Sequence, residues 1–157
     1  MIEFNKIWVE KYRPTKLDDV ILDEASLRVV SQFEEEIPNL LFVGNPGTGK
    51  TTLARIIVND ILKCNYLYIN ASDESGIDTI RHNITNFAQT KSFDGKVKVV
   101  ILDEADGLTG QAQAALRNTM ESFAKYCRFI LTANYKHKII PALQSRCQSL
   151  DLKPVID

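Results

Sequence analysis

The sequence predicts a three-layer α/β domain built on a parallel sheet of five strands, and two features predict it. Short apolar runs recur along the chain, of the kind that is buried on both faces of a parallel sheet. Between them lie longer stretches whose apolar positions fall at helical spacing, the alternation expected of helices covering such a sheet. The first run, Leu40-Leu41-Phe42-Val43, ends at Gly44. Lys50 to Leu62 follows as a helix with Leu53, Ile56, Ile57 and Ile61 on one face. Tyr66-Leu67-Tyr68-Ile69 is the second strand. Ile77, Ile80, Ile84, Phe87 and Ala88 mark the next helix, which the Ser92-Phe93-Asp94-Gly95 turn closes. Val97 and Val99-Val100-Ile101-Leu102 form the third strand. Thr109 is placed to cap a helix carrying Ala112, Ala115, Leu116, Met120 and Phe123. Arg128 to Thr132 is the fourth strand, a short helix covers Ile139–Gln144, and Ser149–Leu152 is the last strand.

Composition agrees with this class and excludes others. The chain has 157 residues, 45% of them apolar and 25% charged, enough to bury a core without disulfides. Nineteen Lys+Arg against 20 Asp+Glu leave a net charge of −1, which excludes a histone-like, charge-driven DNA binder. No run approaches the ~20 apolar residues of a membrane span. The polar, acidic start Met1-Ile2-Glu3-Phe4-Asn5-Lys6 is not a signal peptide. Cys64, Cys127 and Cys147 form no pair at metal or redox spacing, which suits a reducing compartment. The expectation is a cytoplasmic protein, in the host cytoplasm if viral and in the nucleus if eukaryotic, without a membrane partner.

Ligands on such sheets bind beyond the carboxyl ends of the strands, and the informative residues fall there. Gly44-Asn45-Pro46-Gly47-Thr48-Gly49-Lys50-Thr51 fits G-x-x-x-x-G-K-[ST], the P-loop, followed by Thr52. Its glycines let backbone N–H groups converge on a phosphate at the positive end of a helix. Lys50 reaches the outer phosphates and the Thr51 hydroxyl supplies an Mg²⁺ ligand. The strand Val99–Leu102 delivers Asp103 to its carboxyl end as the second Mg²⁺ residue. Glu104, adjacent to it, is the base that polarises an attacking water. Paired carboxylates favour hydrolysis over transfer to a small molecule, because a kinase must keep water out. Asn134 ends the following strand and is suited to hold that water, and Arg146, between a short helix and a strand, suggests an arginine finger.

These motifs together resemble a AAA+ ATPase, specifically a clamp-loader small subunit of the replication factor C type. Trp8-Val9-Glu10-Lys11-Tyr12-Arg13-Pro14 is similar to that family's N-terminal box, and Asp103-Glu104-Ala105-Asp106 to its second nucleotide motif. Asn70-Ala71-Ser72-Asp73-Glu74 and Ser145-Arg146-Cys147 are further family motifs. The Thr85–Ala88 and Ser92–Gly95 stretches are similar to the clamp loader of T-even-like phages, which points to a phage-like member. The resemblance implies a P-loop NTPase core of the RecA-like AAA+ type using ATP and Mg²⁺. It implies that Tyr12, Arg13, Pro14, Val20 and Ile21 border the adenine. Asn134 is then the first sensor, Arg146 acts on a neighbouring subunit's ATP, and Asn70 restrains Glu104 until DNA binds. DNA would meet the helix starts near Arg81 and near Thr109 and Gln111. The implied partners are other clamp-loader subunits in a ring or spiral, the sliding clamp and primer-template DNA.

Two departures from the family pattern stand out. Asn118 follows Arg117 where cellular members often carry a second arginine, and the chain stops at Asp157, where a helical lid and then a collar are expected. The expected layout is an adenine-side segment over 1–22, the α/β core over 23–153 and the start of the lid at 154–157. On this reading the isolated chain is nearly inactive as an ATPase. Rival readings are another AAA+ machine (a helicase loader or branch-migration motor), a subunit that senses ATP without hydrolysing it, and, third, a small-molecule kinase.

Overall fold

The computed structural model describes residues 37–73, 76–90 and 97–152. Five strands, β1 (Leu40–Val43), β2 (Tyr66–Asn70), β3 (Lys98–Asp103), β4 (Cys127–Ala133) and β5 (Gln148–Asp151), form one sheet in the order β2-β3-β4-β1-β5. Every neighbouring pair runs parallel, as the apolar runs predict. The helices are α1 (Lys50–Ile56), α2 (Gly76–Gln89), α3 (Gly110–Ser122) and α4 (Pro141–Gln144). The predicted Lys50–Leu62 helix changes character midway. Past Ile56 it becomes a π-helical turn, Ile57–Ile61, in which Leu62 N–H bonds to Ile57 O at 2.8 Å. Thr109 caps α3, its hydroxyl accepting the Ala112 N–H at 3.1 Å.

The strands are buried on both faces because their side chains alternate. Leu41, Val43, Val100, Leu102, Phe129 and Leu131 pack with α2 and α3 on one side. Leu40, Phe42, Val99, Ile101 and Ile130 pack with Leu53, Ala54, Ile57 and Val58 of the α1 segment on the other. The same alternation aims the polar residues. Asp103 shares the parity of Val99 and Ile101, and Thr132 that of Ile130. Both therefore project from the carboxyl edge toward α1, the face on which Tyr68 also packs.

The strand order sets which loops meet. The chain leaves β1 for β2, across the positions of β4 and β3, whereas the connection from β4 leads to β5 on the far side of β1. The crevice where these connections diverge is the switch point at which parallel sheets bind ligands. Gly44 N–H bonds to Ala133 O at 3.1 Å, so the loop after β1 starts directly beside the end of β4. A second tie spans α3 and the segment before α4. The buried Gln113 carboxamide donates to Leu108 O (3.1 Å) and Lys138 O (2.8 Å) and accepts from Ile140 N–H (2.8 Å).

Candidate active site

The Gly44–Thr51 loop joins β1 to α1 through backbone conformations that only glycine adopts without strain. Gly47 and Gly49 have φ of 88° and 87°. Thr48 closes the turn, its hydroxyl donating to Asn45 O at 2.9 Å. Gly49 caps α1 without a side-chain acceptor, which leaves first-turn N–H groups for a ligand. Lys50 folds back over the loop, its Nζ donating to Gly44 O (2.8 Å) and Asn45 O (3.1 Å). Burial pushes its pKa down, and the nearby charges of Asp103, Asp106 and Glu104 oppose that shift. This is a cation held at the mouth of a concave set of amides, the chemistry that accepts phosphate.

Asp103 is the hub of a hydroxyl cluster. Oδ1 accepts from Thr51 Oγ1 at 2.9 Å and from Thr132 Oγ1, while Oδ2 accepts from Tyr68 Oη at 2.7 Å. Thr132, itself fully buried, also accepts the Glu104 N–H at 2.9 Å. Burial, followed by the hydrogen bond to Asp103, pushes the Tyr68 hydroxyl up to about 12. Arg55 of α1 lies 4.6 Å over the Tyr68 ring. The carboxylate and hydroxyl oxygens of Asp103 and Thr51 are hard donors of the type that suits Mg²⁺.

Glu104 is exposed and held in the left-handed region, with φ 59°, uncommon outside glycine and concentrated at functional sites. Its Oε1 accepts from Ser72 Oγ at 2.7 Å. Asn70 Oδ1 accepts the Ser72 backbone N–H at 3.0 Å and lies 2.7 Å from Ser72 Oγ. Asn70 is occupied in turning its own loop, so it is Ser72, and not the expected Asn70, that contacts Glu104.

Asn134 follows β4, next to the carbonyl that receives Gly44 N–H. Its backbone is pinned by Asp106, whose Oδ2 accepts the N–H groups of Asn134 and Tyr135, each at 3.0 Å. Arg146 lies two residues before β5, at the amino-terminal edge of the sheet and so remote from this chain's own P-loop. Its guanidinium pairs with Glu121, whose same oxygen also takes Arg117 at 3.3 Å. Of the expected DNA residues, Arg81 is exposed beside Asp78 (3.8 Å), Thr109 is engaged as a cap, and Gln111 is exposed. Tyr12, Arg13, Pro14, Val20 and Ile21, with residues 154–157, lie outside the described residues.

Sequence reasoning missed Tyr68, Thr132 and Glu121, and it took in Ser72 and Asp106 only as members of family motifs, with no role of their own. Thr132 did carry a signal, a hydroxyl directly after the apolar run Phe129–Leu131. The others depend on contacts between distant segments that no spacing encodes.

Comparison with known proteins agrees with the geometry. Residues 40–154 match the family described as "ATPase family associated with various cellular activities (AAA)". The chain is 50% identical to the replication factor C small subunit of Archaeoglobus fulgidus, over 96% of this chain and 49% of that one. It is 48% identical to the corresponding subunit of Methanoregula boonei, over 99% of this chain and 50% of the relative. The chain thus spans about half the length of these relatives. In fold it resembles the Thermotoga maritima RuvB Holliday junction branch migration motor, with TM-score 0.69 and 24% identity over 89% of this chain and 48% of that structure. Among the described residues no helix is long and apolar enough to cross a membrane. With a P-loop, a buried carboxylate at the end of β3 and the family match over the same span, the chain belongs to the AAA family of ATPases.

Proposed function

We propose that this chain is the ATP-binding and hydrolysing core of a clamp-loader small subunit, coupling ATP to the opening of a sliding clamp and its loading on primer-template DNA. The observation that carries the ATPase part is the bond between Thr51 and Asp103, 52 residues apart, which unites the P-loop with the acidic end of β3. Similarity to replication factor C small subunits supports the clamp-loading part.

In this reading the Gly44–Thr52 loop holds the phosphates through its backbone N–H groups, and Lys50 neutralises their charge. Thr51 and Asp103 hold Mg²⁺, which when bound polarises the phosphate oxygens. Glu104 takes a proton from the attacking water, and Asn134 orients that water. Arg146 serves a neighbouring subunit, in keeping with its distance from the P-loop of its own chain. Tyr12, Arg13, Pro14, Val20 and Ile21 border the adenine, and residues 1–22, 23–153 and 154–157 are the adenine-side segment, the core and the start of a lid. Arg81, Thr109 and Gln111 face DNA phosphates.

Single-turnover ATP hydrolysis by the assembled full-length subunits tests the reading. Acceleration by clamp with primer-template DNA is expected. Acceleration by branched DNA without a clamp would favour a branch-migration motor, and nucleotide binding without turnover would leave an ATP-sensing subunit.

A further inference from the structure

We infer that Tyr68 is a positioning residue for the magnesium-binding carboxylate, holding Asp103 through Oδ2 so that Oδ1 stays aimed at the P-loop threonine. The inference rests on the nucleotide-site reading above and adds to it a residue outside the motifs from which that reading was built. Two hydroxyls, from Thr51 and Thr132, converge on Oδ1, and Tyr68 alone among the described hydrogen bonds engages Oδ2. A carboxylate gripped on one oxygen can still rotate about its last torsion, whose preference is broad. A donor on the second oxygen at 2.7 Å removes that freedom.

Three features suit Tyr68 to the task. It lies on β2 opposite Ile101, two residues short of the Asn70–Asp103 pair, so its long side chain reaches diagonally along the sheet to the carboxylate. Its ring is packed against the α1-side core. Arg55, one turn after Thr51 on α1, stacks on the ring at 4.6 Å. The helix that begins at the P-loop therefore touches Asp103 twice, directly through Thr51 and indirectly through Arg55 and Tyr68. Partners of metal-binding residues orient them in this way, and losing one costs about 10–100-fold in metal affinity or activity.

The test measures binding of a fluorescent ATP analogue by the full-length chain, titrated with Mg²⁺ and repeated in EDTA. Tyr68→Phe removes only the hydroxyl and keeps the ring. It is expected to raise the Mg²⁺ midpoint roughly tenfold, at the low end of that range, and to leave affinity in EDTA unchanged. A midpoint within twofold of the parent overturns the inference, as does an equal loss of affinity with and without Mg²⁺, which would make the hydroxyl a packing element. If the unmodified protein binds the analogue with no dependence on Mg²⁺, the nucleotide-site reading itself fails.

Discussion

The Thr51 hydroxyl donates to Asp103 Oδ1 at 2.9 Å, fastening the first turn of α1 to the end of β3. Asp103→Asn retains an acceptor oxygen for the threonine hydroxyls but removes the charge a divalent cation needs. The nucleotide-free variant should therefore melt close to the parent, while Mg²⁺ ceases to improve nucleotide affinity. Calorimetric titration with and without Mg²⁺ checks this, and an unchanged Mg²⁺ response would exclude Asp103 as a magnesium residue.

Thr132 is fully buried and bridges Glu104 N–H to Asp103. Thr132→Val keeps the shape but leaves the N–H of a left-handed residue without its acceptor. A loss of about 1–3 kcal/mol is expected in urea unfolding, because the buried Asp103 carboxylate also loses one of its hydroxyl donors.

Ser72 is the only residue among the described hydrogen bonds to engage the Glu104 carboxylate. Its backbone N–H already serves Asn70, so its single hydroxyl proton is free for the carboxylate, the stronger acceptor. If this bond restrains the base, Ser72→Ala should raise DNA-independent ATP turnover of the assembly without moving KM. Asn70→Ala should act in the same direction and more weakly. A fall in turnover for Ser72→Ala would instead mark the serine as a support of the active geometry.

Arg146 shares the Glu121 carboxylate with Arg117 on a partly exposed surface. Exposed pairs of this kind contribute ~0–1 kcal/mol, so Arg146→Ala should barely change the stability of its own chain. In the assembly it should lower ATP turnover by roughly 10³-fold or more, the scale of a lost arginine finger. Mixing variant and parent subunits would locate the defect. Loss confined to the variant's own nucleotide site would contradict action in trans.

Burial pushes the Cys147 thiol up to about 12. At pH 8 its thiolate fraction is then roughly 10³-fold below that of an ordinary thiol, and iodoacetamide should modify it only on unfolding. The sign for stability follows. Above about pH 9 the unfolded chain loses this proton while the folded chain keeps it, so stability falls as pH rises from 9 toward 12. Cys147→Ala should flatten that alkaline slope in melting curves.

The legible parts of this protein are those governed by local rules. Strand runs such as Leu40–Val43 and Val99–Leu102 are readable because a strand covered on both faces must be apolar throughout. The P-loop is readable because a phosphate cradle demands glycines and a lysine at fixed spacing in one segment. Thr109 is readable as a cap because its partner lies three residues away. Asp103-Glu104 is readable at the sheet edge because the apolar run Val99–Leu102 stops directly before it.

The order β2-β3-β4-β1-β5 belongs to tertiary structure alone, because apolar strands that look alike are sorted by crossovers rather than by composition. That order sets Ala133 beside Gly44 and Tyr68 within reach of Asp103. It also left Ser72 rather than Asn70 against Glu104, since the loop after β2 turns on its own asparagine. By itself the sequence determined a five-stranded α/β core with a phosphate loop and an acidic strand end. Only folding decided which hydroxyls surround the carboxylates, because hydrogen bonds between segments 32 to 52 residues apart exist only once the sheet has brought them together.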